Sequence, residues 1–315
     1  MDQLIFSLNA TVPLFLMMLL GFVLRQLGLF DDNFVKKLNT FNFKVTLPVL
    51  LFTDISSSDF ISAWDTKYAL FCFFVTLFCI LCLWFAGGFF IDKNGDLGEF
   101  VQGSYRSAAA TLGIAFTTNI YGNSGMGPLM IIASVPLYNI AAVLILSFSG
   151  PAGGSLDKKA FKKSLMGVVK NPILIGIFAG IAASLINLRF PAMIDKTINN
   201  VAVLSSPLTL IGLGASFEGA KAVKKLAPTF AASFIKLVVW PAIFVPLALY
   251  MGFRNESLIG IVTLVGLPTT ASSFVMAKSM GHEGVLTSSI VVVTTFLCPF
   301  TLTLILYLLK SMGAI

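Results

Sequence analysis

Long apolar stretches separated by short polar turns run along this chain. One of them, Tyr68–Ile91, carries no charged residue at all. About 20 such residues suffice to cross a bilayer as a helix. The pattern predicts ten spans: Leu8–Leu29, Leu38–Ile55, Tyr68–Ile91, Phe100–Ile120, Gly127–Phe148, Val169–Asn187, Ile198–Phe217, Thr229–Phe253, Ser257–Met280 and Val285–Leu309. The polar breaks are short except near the middle. There Gly150, Pro151, Gly153 and Gly154 are followed by Lys158, Lys159, Lys162 and Lys163. This basic run reads as a topology and anionic-lipid signal.

The same pattern reads twice at one offset, 159 residues. Pro13 and Gly21 return as Pro172 and Gly180, Pro48 as Pro207, and Gly122 and Gly125 as Gly281 and Gly284. An undrifting offset implies an internal duplication. The expected organisation is a first five-span repeat at 1–149, a cytoplasmic basic loop at 150–168 and a second five-span repeat at 169–315. An odd number of spans forces the second repeat to insert inverted. Loops after odd-numbered spans hold eleven Lys against five Lys or Arg in the remaining loops and the C-terminus. By the positive-inside rule both termini face outside. The expectation is an all-α polytopic protein of the cytoplasmic membrane, in two inverted five-helix repeats, with a shared site at the repeat interface.

Composition agrees. Hydrophobic residues are 57% and charged residues 11% of the 315, far from the roughly 25% charged of a soluble domain. The N-terminus lacks the positive start of a signal peptide, so the first apolar run reads as a retained span. The net charge of +7 sits in loops and does not indicate nucleic acid. Cys72, Cys79, Cys82 and Cys298 lie within apolar spans and read as packing residues. One histidine cannot build a multi-histidine metal site, and no phosphate loop is present. Nothing in the chain reads as an enzyme or calls for a cofactor.

Two segments make poor membrane helices. They are Tyr105–Ala115, which includes Arg106, Ala109, Ala110, Thr111 and Gly113, and Gly266–Ser273, which includes Pro268, Thr269, Thr270, Ser272 and Ser273. The offset lays Ala109 on Pro268. Pro268 removes a backbone donor, and non-helical backbone at membrane depth is tolerated only around a protein-lined cavity. Breaks in the fourth and ninth spans would cross, and the half-helix N-termini exposed there suit an anion. Arg106, within a turn of the first break, is a candidate carboxylate clamp or a structural pair. Asn139, in the fifth span, is either cavity lining or a helix–helix contact. Lys44 and Lys236 are weaker candidates at depth. Asp54 and Glu218 sit near span ends, and His282 reads as a solvated loop residue. Backbone carbonyls and hydroxyls leave coupling to H+ or Na+ open, and small-residue faces such as Gly176–Gly180 leave a homodimer open.

Several stretches resemble the auxin efflux carrier family. These are Pro13–Gly21 with Arg25–Leu29, Leu38-Asn39 leading to Leu47-Pro48, Asn171-Pro172 with Gly180, Leu267–Ser273 leading to Ala277, and Thr294-Thr295. The family includes bacterial malate and malonate carriers and is similar in fold to plant auxin carriers. The resemblance implies crossing broken helices in spans four and nine, a scaffold part, a transport part and elevator-like movement. It implies a small organic anion as substrate, with dicarboxylates such as malate or malonate foremost. Ala108 and Ala115 stand where relatives often carry asparagine and proline, which leaves the first crossover less polar. Two other carriers remain open: a sodium-coupled carrier of the bile-acid type, and an auxin-like exporter of monocarboxylates or weak acids. A ligand-binding membrane sensor that moves nothing also remains.

Overall fold

The computed structural model describes residues 2–56, 64–91, 96–122, 125–149, 170–188 and 190–315; the basic loop 150–168 lies outside them. Every regular element among the described residues is a helix. In chain order they are α1 (Asp2–Gln26), α2 (residues 32–56), α3 (Thr66–Phe90), α4 (Asp96–Tyr105), α5 (residues 109–121), α6 (Gly127–Ser149) and α7 (Pro172–Leu185). Then follow α8 (Ala192–Ala215), α9 (Gly219–Lys224), α10 (residues 226–250), α11 (Asn255–Gly266), α12 (Ser272–Ser279) and α13 (Val285–Ser311). Three of them contain a wide π-type turn: Asn42–Thr46 in α2, Ala109–Gly113 in α5 and Ile235–Val239 in α10.

Apolar length decides the setting. Thr66–Gly88, Gly127–Ser149, Ala192–Ala215, Leu226–Tyr250 and Val285–Ser311 are each long and apolar enough to cross a membrane. Thr11–Gln26, Pro172–Leu185 and Asn255–Gly266 are shorter apolar helices. Large side chains such as Phe74, Phe85, Leu304 and Tyr307 point outward, a surface suited to lipid and not to water. The chain is a multi-pass membrane protein.

Helix starts differ from the apolar boundaries where polar first turns are capped. α2 begins at Asp32, because the Asp31 carboxylate accepts the Phe34 N–H at 2.6 Å. α7 begins at Pro172 behind Asn171, whose side chain accepts from Ile173 N at 2.9 Å. α8 has no side-chain cap, yet it takes in the polar turn around Asp195 behind Pro191 and starts six residues before the expected Ile198.

Two groups of helices result. α1 lies on α8, α7 lies on α2, and α2 also touches α8. Glycines set these approaches. A β-carbon on Gly21 would fall 2.1 Å from the Ile211 carbonyl oxygen, and one on Gly180 would fall 3.0 Å from that of Phe52. Gly21 and Gly180 are 159 residues apart, and so are Phe52 and Ile211, so one contact occurs twice. The second group packs α3 on α4 and α6, and α10 on α11 and α13.

Loops gather at two ends. Lys225 Nζ reaches Asp96 at 2.6 Å and Glu283 at 3.1 Å. These three residues come from connections after the predicted third, seventh and ninth spans. At the other end Lys67 donates to the Met251 carbonyl and Asn255 N to Ala314 O.

Candidate functional site

α11 stops at Gly266 because Pro268 pushes Leu267 into an extended conformation (φ −75°, ψ 159°), and helix resumes only at Ser272. α4 stops at Tyr105 with no proline. Residues 106–108 are non-helical and α5 starts at Ala109. What holds this first break open is a set of donors from elsewhere in the fold. Thr269 Oγ1 donates to Gly103 O at 2.6 Å, Trp240 Nε1 to Ser104 O at 2.9 Å, and Tyr138 OH to Ser107 O at 3.4 Å. These satisfy carbonyls that a helix end leaves free. The two breaks touch directly: Ala108 N donates to Pro268 O at 2.9 Å, and Ser107 Oγ to Thr263 O at 2.9 Å.

Arg106 lies in the first break and is 1% exposed. Its Nη2 donates to Asn139 Oδ1 at 2.8 Å and Ser272 Oγ at 3.0 Å, and Nη1 meets Met276 Sδ. The guanidinium sits 5.3 Å from the centre of the Tyr138 ring, a cation–π distance. Nε has no partner. The hydrogen-bond partners of Arg106 among the described residues are thus all neutral.

This group faces a cavity of about 110 Å³ between the two helix groups. One wall is Leu14 of α1, Leu47, Leu50, Leu51 and Asp54 of α2, Ile173 of α7, and Ser205, Ser206, Thr209 and Leu210 of α8. The other wall comes from Arg106, Ser107, Ala108, Ala110 and Leu112, from Tyr138 and Asn139 of α6, from residues 268–272 and Met276, and from Val291 and Thr295 of α13. Leu14 and Ile173 are 159 apart, as are Leu47 and Ser206, Leu50 and Thr209, and Ala110 and Thr269. The cavity is therefore lined by matching positions of the duplicated pattern. Its α2 side is mostly aliphatic and its α8 side mostly hydroxyl.

Of the residues singled out from sequence, Arg106, Ala110, Asn139, Pro268, Thr269, Thr270 and Ser272 line the cavity. Three of the others are not part of its lining. Ala109 is fully buried in the core, and Gly113 packs against Thr263. Ser273 is turned inward, with Oγ donating to Thr270 O at 2.6 Å. The side chain of Thr111 lies outside the described residues. Asn139 lines the cavity and also joins two segments, since its Oδ1 accepts from Arg106 at 2.8 Å, while its Nδ2 donates within α6 to Val135 O at 2.9 Å. His282 is not solvated: it is 5% exposed, with Nε2 2.9 Å from the Leu146 carbonyl, because α6 covers the loop. Lys236 is buried beside the end of α11, while Lys44 is exposed on α2.

A family profile described as "Membrane transport protein" matches residues 6–306. The chain belongs to that transporter family. It is similar to a Rhizobium meliloti (strain 1021) protein named "Putative malonate transporter", with 26% identity over 95% of each chain. It is also similar to the "Uncharacterized transporter YfdV" of Escherichia coli (strain K12), with 24% identity over 88% of this chain and 89% of that one. An "Uncharacterized transporter" of Methanothermobacter thermautotrophicus shares 22% identity over 92% and 94% of the two chains.

Sequence reasoning missed part of this transporter's cavity. Ser205 and Thr209 bracket Pro207, the repeat partner of Pro48, and a polar stripe beside a duplicated proline was the available signal. Asn42, from the wide turn of α2, joins these two hydroxyls and Thr46 in a buried network. Glu99 was also missed, because it lies just before the expected fourth span. It is 1% exposed and accepts from Gly284 N at 2.7 Å and Thr287 N at 2.8 Å, capping α13.

Proposed function

We propose that this transporter is a secondary carrier of small organic anions, with dicarboxylates such as malonate or malate as the foremost class. One observation carries the reading: Arg106 is a fully buried cation, on a cavity wall at the meeting of two broken helices, with neutral partners and a free Nε–H. An uncompensated buried charge is costly, and a substrate carboxylate is the group that completes it, by two parallel charge-assisted bonds. Backbone donors of α5 and α12 add the partial positive charge of helix N-termini. The name of the Rhizobium relative agrees with this class.

Charge balance refines it. Asp54 lines the same cavity, so one cation and one acid face the substrate. Arg106 and an ionised Asp54 cancel, so a bound dicarboxylate leaves two negative charges, and a proton on the substrate or on Asp54 travels with it to reduce them. The same Asp54 favours a second reading, a monocarboxylate carrier, in which one proton restores neutrality.

The architecture in this proposal is two inverted five-helix repeats, 1–149 and 169–315, joined by the cytoplasmic loop 150–168. Both termini face outside the cytoplasmic membrane. The pairs of contacts and of cavity residues 159 positions apart support it. α1, α2, α7 and α8 form the scaffold, and the remaining helices slide past them in an elevator-like step with the crossing as cargo hold. The test is uptake into proteoliposomes across mono- and dicarboxylates, with and without proton and sodium gradients. Dicarboxylate uptake driven by a proton gradient is the expected result. Monocarboxylate uptake alone selects the second reading, and absence of flux with any acid refutes both.

A further inference from the structure

The ammonium of Lys236 has no place in the substrate reading, and its surroundings are unusual. It is 1% exposed, held inward by the wide turn of α10. Nζ donates to Leu264 O at 3.1 Å and Val265 O at 3.0 Å. These carbonyls belong to the last turn of α11, where Pro268 ends the helix and leaves them without intrahelical donors. The other side chains around this site include Thr76 and Cys79 of α3, Tyr105 of α4, Tyr138 of α6 and Trp240 of α10, and among the described residues no carboxylate lines it. What balances the charge is the C-terminal end of α11, worth roughly half a negative elementary charge. Main-chain carbonyls at the end of an interrupted helix are also the donor set with which membrane carriers hold sodium.

We infer that Lys236 is a tethered cation: its ammonium occupies, at the end of α11, the place a free monovalent cation would otherwise take, and the crossing is built without sodium. The inference stands apart from the substrate proposal, because its test needs no substrate.

The experiment is thermal unfolding of the purified full-length chain in detergent, in sodium chloride against choline chloride. The wild type should melt at the same temperature in both; stabilisation by sodium overturns the inference. Lys236→Ala removes the side chain from Cγ to Nζ, which n-propylammonium matches atom for atom. That variant should melt below the wild type. With n-propylammonium in about tenfold excess over its dissociation constant, it should recover about 2 °C. Tetramethylammonium, which has charge without N–H, and n-propanol, which has volume without charge, should not restore it. Recovery by n-propanol to the same degree, or by none of the three, overturns the inference. Lys236→Met covers the case in which the alanine variant does not fold. It keeps the chain as far as Cε and deletes the ammonium, so it should acquire a sodium-over-choline stabilisation that the wild type lacks. A methionine variant indifferent to sodium overturns the inference.

Discussion

Arg106→Gln separates a substrate clamp from a structural arginine. In the free protein Nη2 bonds Asn139 at 2.8 Å and Ser272 at 3.0 Å, and Nε is unsatisfied. Glutamine is too short to reach these oxygens, and it removes the charge. The loss of the two bonds to Asn139 and Ser272 costs about 1.5–3 kcal/mol each, and removal of a buried charge that has no acid in contact offsets it. The melting temperature of the substrate-free protein should therefore move by only a few degrees, given about 1.5 °C per kcal/mol for 315 residues. Binding should respond far more. A carboxylate held by Nε–H and one Nη–H makes two charge-assisted bonds of about 1.5–3 kcal/mol each, and truncating one side of such a pair costs about 2–5 kcal/mol. The dissociation constant should then rise about 30- to 4,000-fold. Isothermal titration with the best-transported dicarboxylate measures this, beside a thermal melt of the free variant. Binding within about threefold of the wild type would refute the clamp. A melting temperature lowered by more than about 10 °C would make the arginine structural.

Two further outcomes follow from packing and charge. Gly21→Ala places a methyl 2.1 Å from the Ile211 carbonyl oxygen. A rigid backbone contact cannot yield to it, so the variant should lose about 1–3 kcal/mol, read as a lower melting temperature in detergent. Gly88→Ala, with no atom near the added methyl, should match the wild type. At the loop end, the hydrogen bond from Lys225 holds the Glu283 carboxyl below its ordinary value of 4.5. A depressed carboxyl adds stability that is fully present above the unfolded value and is lost as pH falls through the folded one. Glu283 is 62% exposed, so the gain is about 0.5 kcal/mol or less. Lys225→Met should thus show a smaller loss of melting temperature than the wild type when pH is lowered from 7 to about 4. An equal or larger loss would refute the pairing.

The apolar period was readable in the chain because it is a local property, and the recurrence of prolines and glycines at one offset needs only the sequence. A run of about 20 apolar residues reads as a membrane helix, since only a helix satisfies the backbone of one segment by itself in lipid, and an offset of 159 is visible in Pro48 and Pro207 without coordinates. Pro268 marks the second break for the same reason: a missing N–H acts within one turn. The break at Arg106–Ala108 carries no such mark. It exists because Thr269, Trp240 and Tyr138 arrive from three other segments to satisfy the carbonyls of Gly103, Ser104 and Ser107. The burial of His282 under α6, the capping of α13 by Glu99 and the lining of the cavity by Ser205 and Thr209 are likewise long-range. Each depends on which helix becomes whose neighbour, and that is set by close approaches such as Gly21 on Ile211. Chain chemistry alone determined that the helices cross a membrane in a doubled pattern. Tertiary packing decided which buried groups find a partner and which, like the Nε of Arg106, are left without one.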